Sequence, residues 1–410
     1  MWKKSKGERL GKMTAEAQDK ASETFDYLLY RRGVRKKDIS LLRTYSGDTV
    51  DPDLWEKQFR MTVFEREPYP YNMVLARLSA KFGWDKVPAK IAPRLRGISL
   101  RENSRTVFKL ARCLKYFERL NAEKIGFVVL KGGALKLGLL DDAVRRMDDI
   151  DIRVTDSDYH RANEIAQSCG FKKAHTVDTA PHSADYEYDG EGILDIHRRT
   201  FKNNFLTKEP YEKFADESEK VIKGRAEILV PDAENVFLQV LINGLDNLTA
   251  NVEPNYNPFF IADLIDMKTR CTMNMEKLAR LVYTYHLETK YSVAVRLMEH
   301  ILPGFFAEEA ELAGQLKVRK SDVKRWFHQA PRMIRLGERK EPRALPAKMC
   351  RSFLKNWLRA DLIYLTNYSP AVRPWFFLRF LHQRFVMRRP EDLLALLRDY
   401  KRRHTDHVQT

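Results

Sequence analysis

Residues 127–154 read FVVLKGGALKLGLLDDAVRRMDDIDIRV, and residues 192–201 read GILDIHRRTF. Phe127 to Leu130 has the composition of a buried strand, and Lys131-Gly132-Gly133 makes a turn into a short helix-like segment. A second strand carries Asp149-Ile150-Asp151. Side chains alternate faces along a strand, so Asp149 and Asp151 point one way while Ile150 and Ile152 point into a core. Two carboxylates held side by side repel each other, and a divalent cation with hard oxygen ligands is the usual compensation. A solvated edge strand would account for two acids, but not for Ile150, Ile152 and Val154 between and beyond them.

Asp195 repeats the pattern on a later strand. Leu194 and Ile196 face one way, Asp195 and His197 the other. In isolation this is equally an ordinary amphipathic strand, and its weight comes from completing a triad with Asp149 and Asp151. Three carboxylates can hold two Mg²⁺ ions, which orient a triphosphate, acidify an attacking hydroxyl and stabilise departing pyrophosphate. Glu187 and Asp189 on the neighbouring strand are alternatives for the third acid. His197 is expected to hydrogen-bond beside the acids rather than act as a base. Glycines let backbone N–H groups approach a phosphate, although a Gly-Gly turn also forms without any ligand. It is not a Walker A loop, because the GxxxxGK[ST] spacing is absent. Arg145 and Arg146 precede the acids by a few residues and fit either a phosphate grip or a surface role.

The remaining composition narrows the class. The chain has 410 residues, 44% hydrophobic and 31% charged, as expected of a globular protein with two or three domains. No run approaches the ~20 apolar residues of a membrane span. The N-terminal MWKKSKGERLGKM is basic with no apolar stretch behind it, so a secretory leader is not expected and a cytoplasmic location is. Cys113, Cys169, Cys271 and Cys350 are widely spaced and form no disulfide or zinc framework. The net charge of +17 is concentrated after Gln315, where 23 Lys and Arg residues face 8 Asp and Glu. That field points to an anionic partner for residues 315–410.

Periodicity divides the chain into four regions. Residues 1–122 form a helical N-terminal region, with one helix near Ala15 to Arg32 and an apolar stripe of Val107, Leu110, Ala111, Leu114 and Phe117 facing a core. Residues 123–228 are an α/β (α+β) core, including a hairpin that turns at Gly190-Glu191-Gly192. Residues 229–314 are a helical domain built from ENVFLQVLINGL, FFIADLIDMKTR, MEKLARLVYTY and SVAVRLMEHIL. Residues 315–410 are a basic, mostly helical extension.

A Gly-Gly turn after a strand, an Asp-Ile-Asp strand and an acid on a later strand resemble the DNA polymerase β-like nucleotidyltransferase superfamily. Within it, LKGGAL, R-x-x-x-DIDI, ILDIH and FFIADLIDM are similar to an uncharacterised nucleotidyltransferase family of bacterial proteins, over roughly Leu41 to Gly304. The resemblance implies a small mixed sheet flanked by N- and C-terminal helical regions. It implies that Asp149, Asp151 and Asp195 are the metal-binding and catalytic acids. Lys131, Gly132 and Gly133 would line the triphosphate, and Arg145 would be the motif arginine. Where family members tend to carry His-Gly in the first helix of the tail, this chain has Asn243-Gly244.

The expected activity is Mg²⁺-dependent transfer of an NMP from an NTP, with ATP the expected donor, to a hydroxyl of an acceptor, and release of pyrophosphate. The acceptor is a small molecule, a protein or RNA. The alternative is a non-catalytic module of the same fold whose basic tail binds nucleic acid, a protein partner or an acidic membrane surface.

Overall fold

The structure is a computed structural model and describes residues 15–31, 33–47, 52–60, 67–141, 145–174, 183–201, 211–249, 259–318, 321–323 and 326–327. Its helices are α1 (Ala15–Arg31), α2 (Lys36–Ser46), α3 (Pro52–Arg60), α4 (Tyr69–Phe82), α5 (Ala92–Ala122), α6 (Lys131–Ala134), α7 (Tyr159–Ser168), α8 (Tyr211–Asp216), α9 (Ala233–Thr249), α10 (Phe259–Arg270), α11 (Met275–Thr284), α12 (Glu288–Ile301) and α13 (Ala307–Gln315). Its strands are β1 (Phe127–Val129), β2 (Ile150–Val154), β3 (Lys172–Lys173), β4 (Ser183–Tyr188), β5 (Glu191–His197), β6 (Ser218–Lys223) and β7 (Ala226–Pro231). The mixed α/β class expected from the sequence is the one observed. No helix among the described residues is long and apolar enough to cross a membrane. Nearly all of the basic extension lies outside the described residues.

The described residues fall into two compact units, each discontinuous in sequence. One joins the N-terminal helices up to Thr106, the segment Leu139–Arg146 and the helices from Ala233 onward; the other joins Val107–Gly138 and Met147–Asp232.

The second unit contains the sheet, in strand order β3-β4-β5-β2-β1-β7-β6. β2 lies near its centre, antiparallel to β1 and parallel to β5. A strand with neighbours on both sides and layers on both faces is buried throughout, and all five β2 residues are. Ile150, Ile152 and Val154 are fully enclosed, each contributing about 1.5–3 kcal/mol by its removal from water. On that side Phe127, opposite Val154 in the register, stacks on Phe117 of α5 at 4.8 Å, and Tyr186 of β4 hydrogen-bonds Asn163 of α7. On the opposite face Val128 and Leu130 pack against Phe214 of α8. Arg153 belongs to this second face. It is 1% exposed, donates to Thr200 Oγ1 at 3.0 Å and lies over the rings of Phe214 and Tyr211.

Two local readings are corrected. The β4–β5 hairpin turns at Asp189-Gly190, both with positive φ (54° and 80°), the backbone of a two-residue type I′ turn. Glu191 and Gly192 are therefore already in β5. On α5 the buried face runs through Lys109, Cys113, Tyr116, Phe117 and Leu120. Of the expected stripe, Phe117 lies on that face, Leu110 and Leu114 are half-buried, and Val107 and Ala111 are exposed, Val107 at 61%; the buried face is rotated toward Lys109 and Cys113. The β6–β7 hairpin turns around Gly224, and SEKVIK on β6 has two apolar residues.

The first unit is helical and has charge in its core. FFIADLIDM forms α10, with Asp263 and Asp266 on one buried face. Arg77 of α4 donates to Asp263 Oδ1 at 2.7 Å and to Asp266 Oδ2. The Tyr45 hydroxyl donates to Asp266 at 2.6 Å. Gly244 of α9 sits so close to the Phe260 ring that a Cβ there would collide with it, which accounts for glycine in the Asn243-Gly244 pair.

Burial alone would raise the Asp263 carboxyl, but Arg145 and Arg77 outweigh it and hold it below the usual carboxylate range. Its folded pKa thus lies below its unfolded one. Its contribution to stability is present above about pH 4 and is lost as pH falls through the folded value. Thermal unfolding followed from neutral to acid pH should show the wild type losing stability below about pH 4, with the gap to Asp263→Asn closing there.

Candidate metal and nucleotide site

The chain leaves β1 at Leu130, whose N–H donates to the Asp151 carbonyl at 2.9 Å, and turns at Lys131. Lys131 takes a φ of 47°, a left-handed backbone that costs a lysine about 1 kcal/mol. Gly132 and Gly133 follow, both buried. A Cβ on Gly133 would lie 2.5 Å from Val129 Cγ1 and 3.6 Å from Ile150 Cγ2. Both neighbours are fully buried strand residues, so this glycine is required for the close approach of the turn to β1 and β2. Gly133→Ala should lower stability by about 1–3 kcal/mol through overpacking, read as a fall in the urea midpoint with an unchanged m-value.

The β2–β5 register places Asp151 opposite Asp195, and Arg153 opposite His197. Asp151 is 5% exposed. Its Oδ1 accepts from Lys131 Nζ at 2.5 Å and contacts His197 Nε2 at 2.7 Å. The same imidazole nitrogen lies 2.9 Å from Asp195 Oδ2. The other oxygen, Asp195 Oδ1, is buried with no hydrogen-bond partner.

The electrostatics follow from this packing. Burial alone would raise the Asp151 carboxyl, but Lys131 and His197 more than offset it and hold it well below the usual carboxylate range. Asp195 is likewise penalised by burial and likewise held down, by His197. Burial opposes a charge on His197, yet the Asp195 and Asp151 carboxylates prevail and raise its pKa to about 9. Lys131 is desolvated too, and the three acids keep it firmly protonated. Asp149 is solvent-exposed just ahead of β2. The like charge of Asp151 is the main cause that raises its carboxyl above the usual carboxylate range. Two side-chain cations, Lys131 and His197, offset the repulsion among the acids.

The residues expected at the site are therefore placed as follows. Lys131, Asp151 and Asp195 converge, Gly132 and Gly133 form the turn beside them, and Asp149 adjoins. Arg145 lies in the helical unit, where its Nε donates to Asp263 Oδ2 at 2.9 Å and its Nη1 to the Arg146 carbonyl at 3.2 Å. Asp189 is at the hairpin turn, 3.4 Å from Arg112. Glu187 pairs with Lys172 and Gly192 in the sheet ladder. His197 hydrogen-bonds beside the acids, as expected, and its Nε2 is itself among the convergent atoms. Asp185 stands opposite Asp195 on β4.

One ligand atom from each of Asp151, Asp195 and His197 lies within 4.8 Å of the others. Two hard carboxylates and one imidazole suit Mg²⁺ or Mn²⁺, with the imidazole nitrogen favouring the latter. The buried, unpartnered Asp195 Oδ1 is an acceptor that such an ion would satisfy. The donor set thus fits a divalent cation.

Among known proteins, the sequence profile of a family described as uncharacterised nucleotidyltransferase matches residues 70–303. No curated protein matches the chain, and no solved structure does. The match covers more than half of the chain and takes in the Lys-Gly-Gly turn, the Asp-Ile-Asp strand, Asp195, His197 and the α10 acids. The chain belongs to this uncharacterised nucleotidyltransferase family.

Proposed function

We propose that the protein is a polymerase β-like nucleotidyltransferase. It moves an NMP from a nucleoside triphosphate, ATP being the expected donor, onto a hydroxyl of a small molecule, a protein or RNA. The observation that carries this reading is the convergence of Asp151, Asp195 and His197 beside a Lys-Gly-Gly turn, with a buried acceptor oxygen on Asp195 unpartnered.

In the reaction the acceptor oxygen forms a bond to the α-phosphorus as the bond from that phosphorus to the β-phosphate oxygen breaks. The hydroxyl proton passes to a carboxylate, for which Asp195 is the assigned base, and pyrophosphate leaves. Asp149, Asp151 and Asp195 would hold Mg²⁺, two ions being the expected number, and His197 Nε2 could add a further ligand once its proton has left. Mg²⁺ bound there would supply charge neutralisation of the triphosphate and acidification of the acceptor hydroxyl. Lys131 supplies a positive charge at the turn, and the backbone of Gly132 and Gly133 lines the triphosphate. Arg145, four residues before Asp149 in the chain, is assigned to the triphosphate as the motif arginine on the family resemblance alone. The basic extension supplies a surface for an anionic partner.

The test incubates the purified protein with each α-labelled NTP, Mg²⁺ and a cell extract. Label passing to a macromolecule or a new small compound, with pyrophosphate released, supports the reading, and the mobility of the product identifies the acceptor class. No label from any NTP, together with no Mg²⁺-dependent nucleotide binding by calorimetry, would replace it with a non-catalytic module.

A further inference from the structure

Lys109 lies on the buried face of α5, within the sheet unit. The residue is 4% exposed. A lysine is rarely enclosed to that degree, because desolvating its ammonium is costly unless oxygen atoms compensate. Here Nζ donates to two backbone carbonyls, those of Asp148 and, at 3.1 Å, Gly192.

The identity of those carbonyls is informative. The Asp148 carbonyl belongs to the peptide that leads into Asp149, just ahead of β2. The Gly192 carbonyl lies near the start of β5, three residues before Asp195. β2 and β5 are parallel neighbours whose register begins at Ile150 opposite Leu194, so both carbonyls lie at the same end of the two acid-bearing strands. One ammonium therefore ties the entry ends of both strands together. These are the strands most in need of a tie. Asp151 and Asp195 oppose each other directly across the ladder, an arrangement that is destabilising for like charges. Asp149 is held against Asp151 in addition.

We propose that Lys109 is a positioning residue of the acid site. Its ammonium fixes the peptide before Asp149 and the start of β5, and so keeps Asp149, Asp151 and Asp195 at the separation a divalent cation needs. This rests on the metal-site reading above. Lys109 acts through backbone and touches no substrate.

The test measures Mn²⁺ affinity by electron paramagnetic resonance and thermal unfolding in wild type, Lys109→Met, Lys109→Gln and Phe117→Leu. Phe117→Leu opens space under the same helix and controls for loss of stability alone. Outer-shell supports of metal sites are worth about 10–100-fold in affinity, so Lys109→Met should bind Mn²⁺ at least about 10-fold more weakly. Lys109→Gln, which keeps a donor for one carbonyl, should recover part of that loss. Phe117→Leu should lower the unfolding temperature while leaving Mn²⁺ affinity within about twofold, since the ring it stacks on, Phe127, pairs with Val154, at the opposite end of β2 from Asp149. Lys109 variants that lose no more Mn²⁺ affinity than Phe117→Leu would overturn the proposal. Failure of both Lys109 variants to fold would assign the residue to folding and overturn it equally. Absence of Mn²⁺ binding in wild type removes the metal reading itself, and this inference with it.

Discussion

Asp151→Asn should abolish label transfer and also lower the stability of the metal-free protein. Both effects come from the same oxygen. Asp151 Oδ1 is the shared contact of Lys131 Nζ and His197 Nε2, so an amide there leaves two buried cations with Asp195 as their main remaining counter-charge. Removing one partner of a buried ion pair typically costs about 3–5 kcal/mol. The metal loses a central ligand at the same time. Loss of an outer-shell support costs up to about 100-fold, and loss of a direct ligand should exceed that. Asp149→Asn separates the two effects. Asp149 is exposed and repelled by Asp151, so its neutralisation should raise metal-free stability by roughly 1 kcal/mol, a figure discounted for solvent screening. Transfer should still fall by more than about 100-fold. Thermal unfolding without metal, alongside the labelled-NTP assay, reads both signs. A variant of either acid that keeps wild-type transfer would exclude the proposed mechanism.

The second large effect is expected far from this chemistry in sequence. Arg77→Met should cost about 3–5 kcal/mol, because it leaves the enclosed carboxylates of Asp263 and Asp266 without their principal counter-charge. Arg77 is 3% exposed, and the two acids are 0% and 6% exposed. Its bonds to them run in a geometry a lysine cannot copy, so Arg77→Lys should recover only part of the loss. Arg145 still reaches Asp263 and Tyr45 still reaches Asp266, which limits the damage short of two bare charges. Urea unfolding followed by far-UV circular dichroism measures the shift. A midpoint within experimental error of wild type would show that the network contributes little net stability, as some buried ion pairs do.

Much of the fold was legible because burial leaves a period in the sequence. The helices α9 to α12 follow from three- and four-residue apolar spacing, and β2 follows from alternation. Asp149, Asp151 and Asp195 stood out because charge in a strand otherwise made of isoleucine and valine needs a compensating partner. What escaped was residues whose environment contradicts their type. Lysine and arginine are residue types usually left in water, yet Lys109 is 4% and Arg153 1% exposed. Asp263 and Asp266 are likewise enclosed, in the helical unit.

The sequence by itself determined the class of fold, the strand that carries the paired acids and the family to which they point, since all three rest on local alternation and short spacing. Tertiary structure alone decided which groups meet. His197 reaches Asp151 only because β2 and β5 pair in parallel in one register, a partnership across 46 residues of chain that no local period encodes. The division into two discontinuous units was decided in the same way. Segments distant in the chain assemble to bury apolar area and to pair charges such as Arg77 and Asp263, and those gains depend on proximity in space rather than on order along the chain.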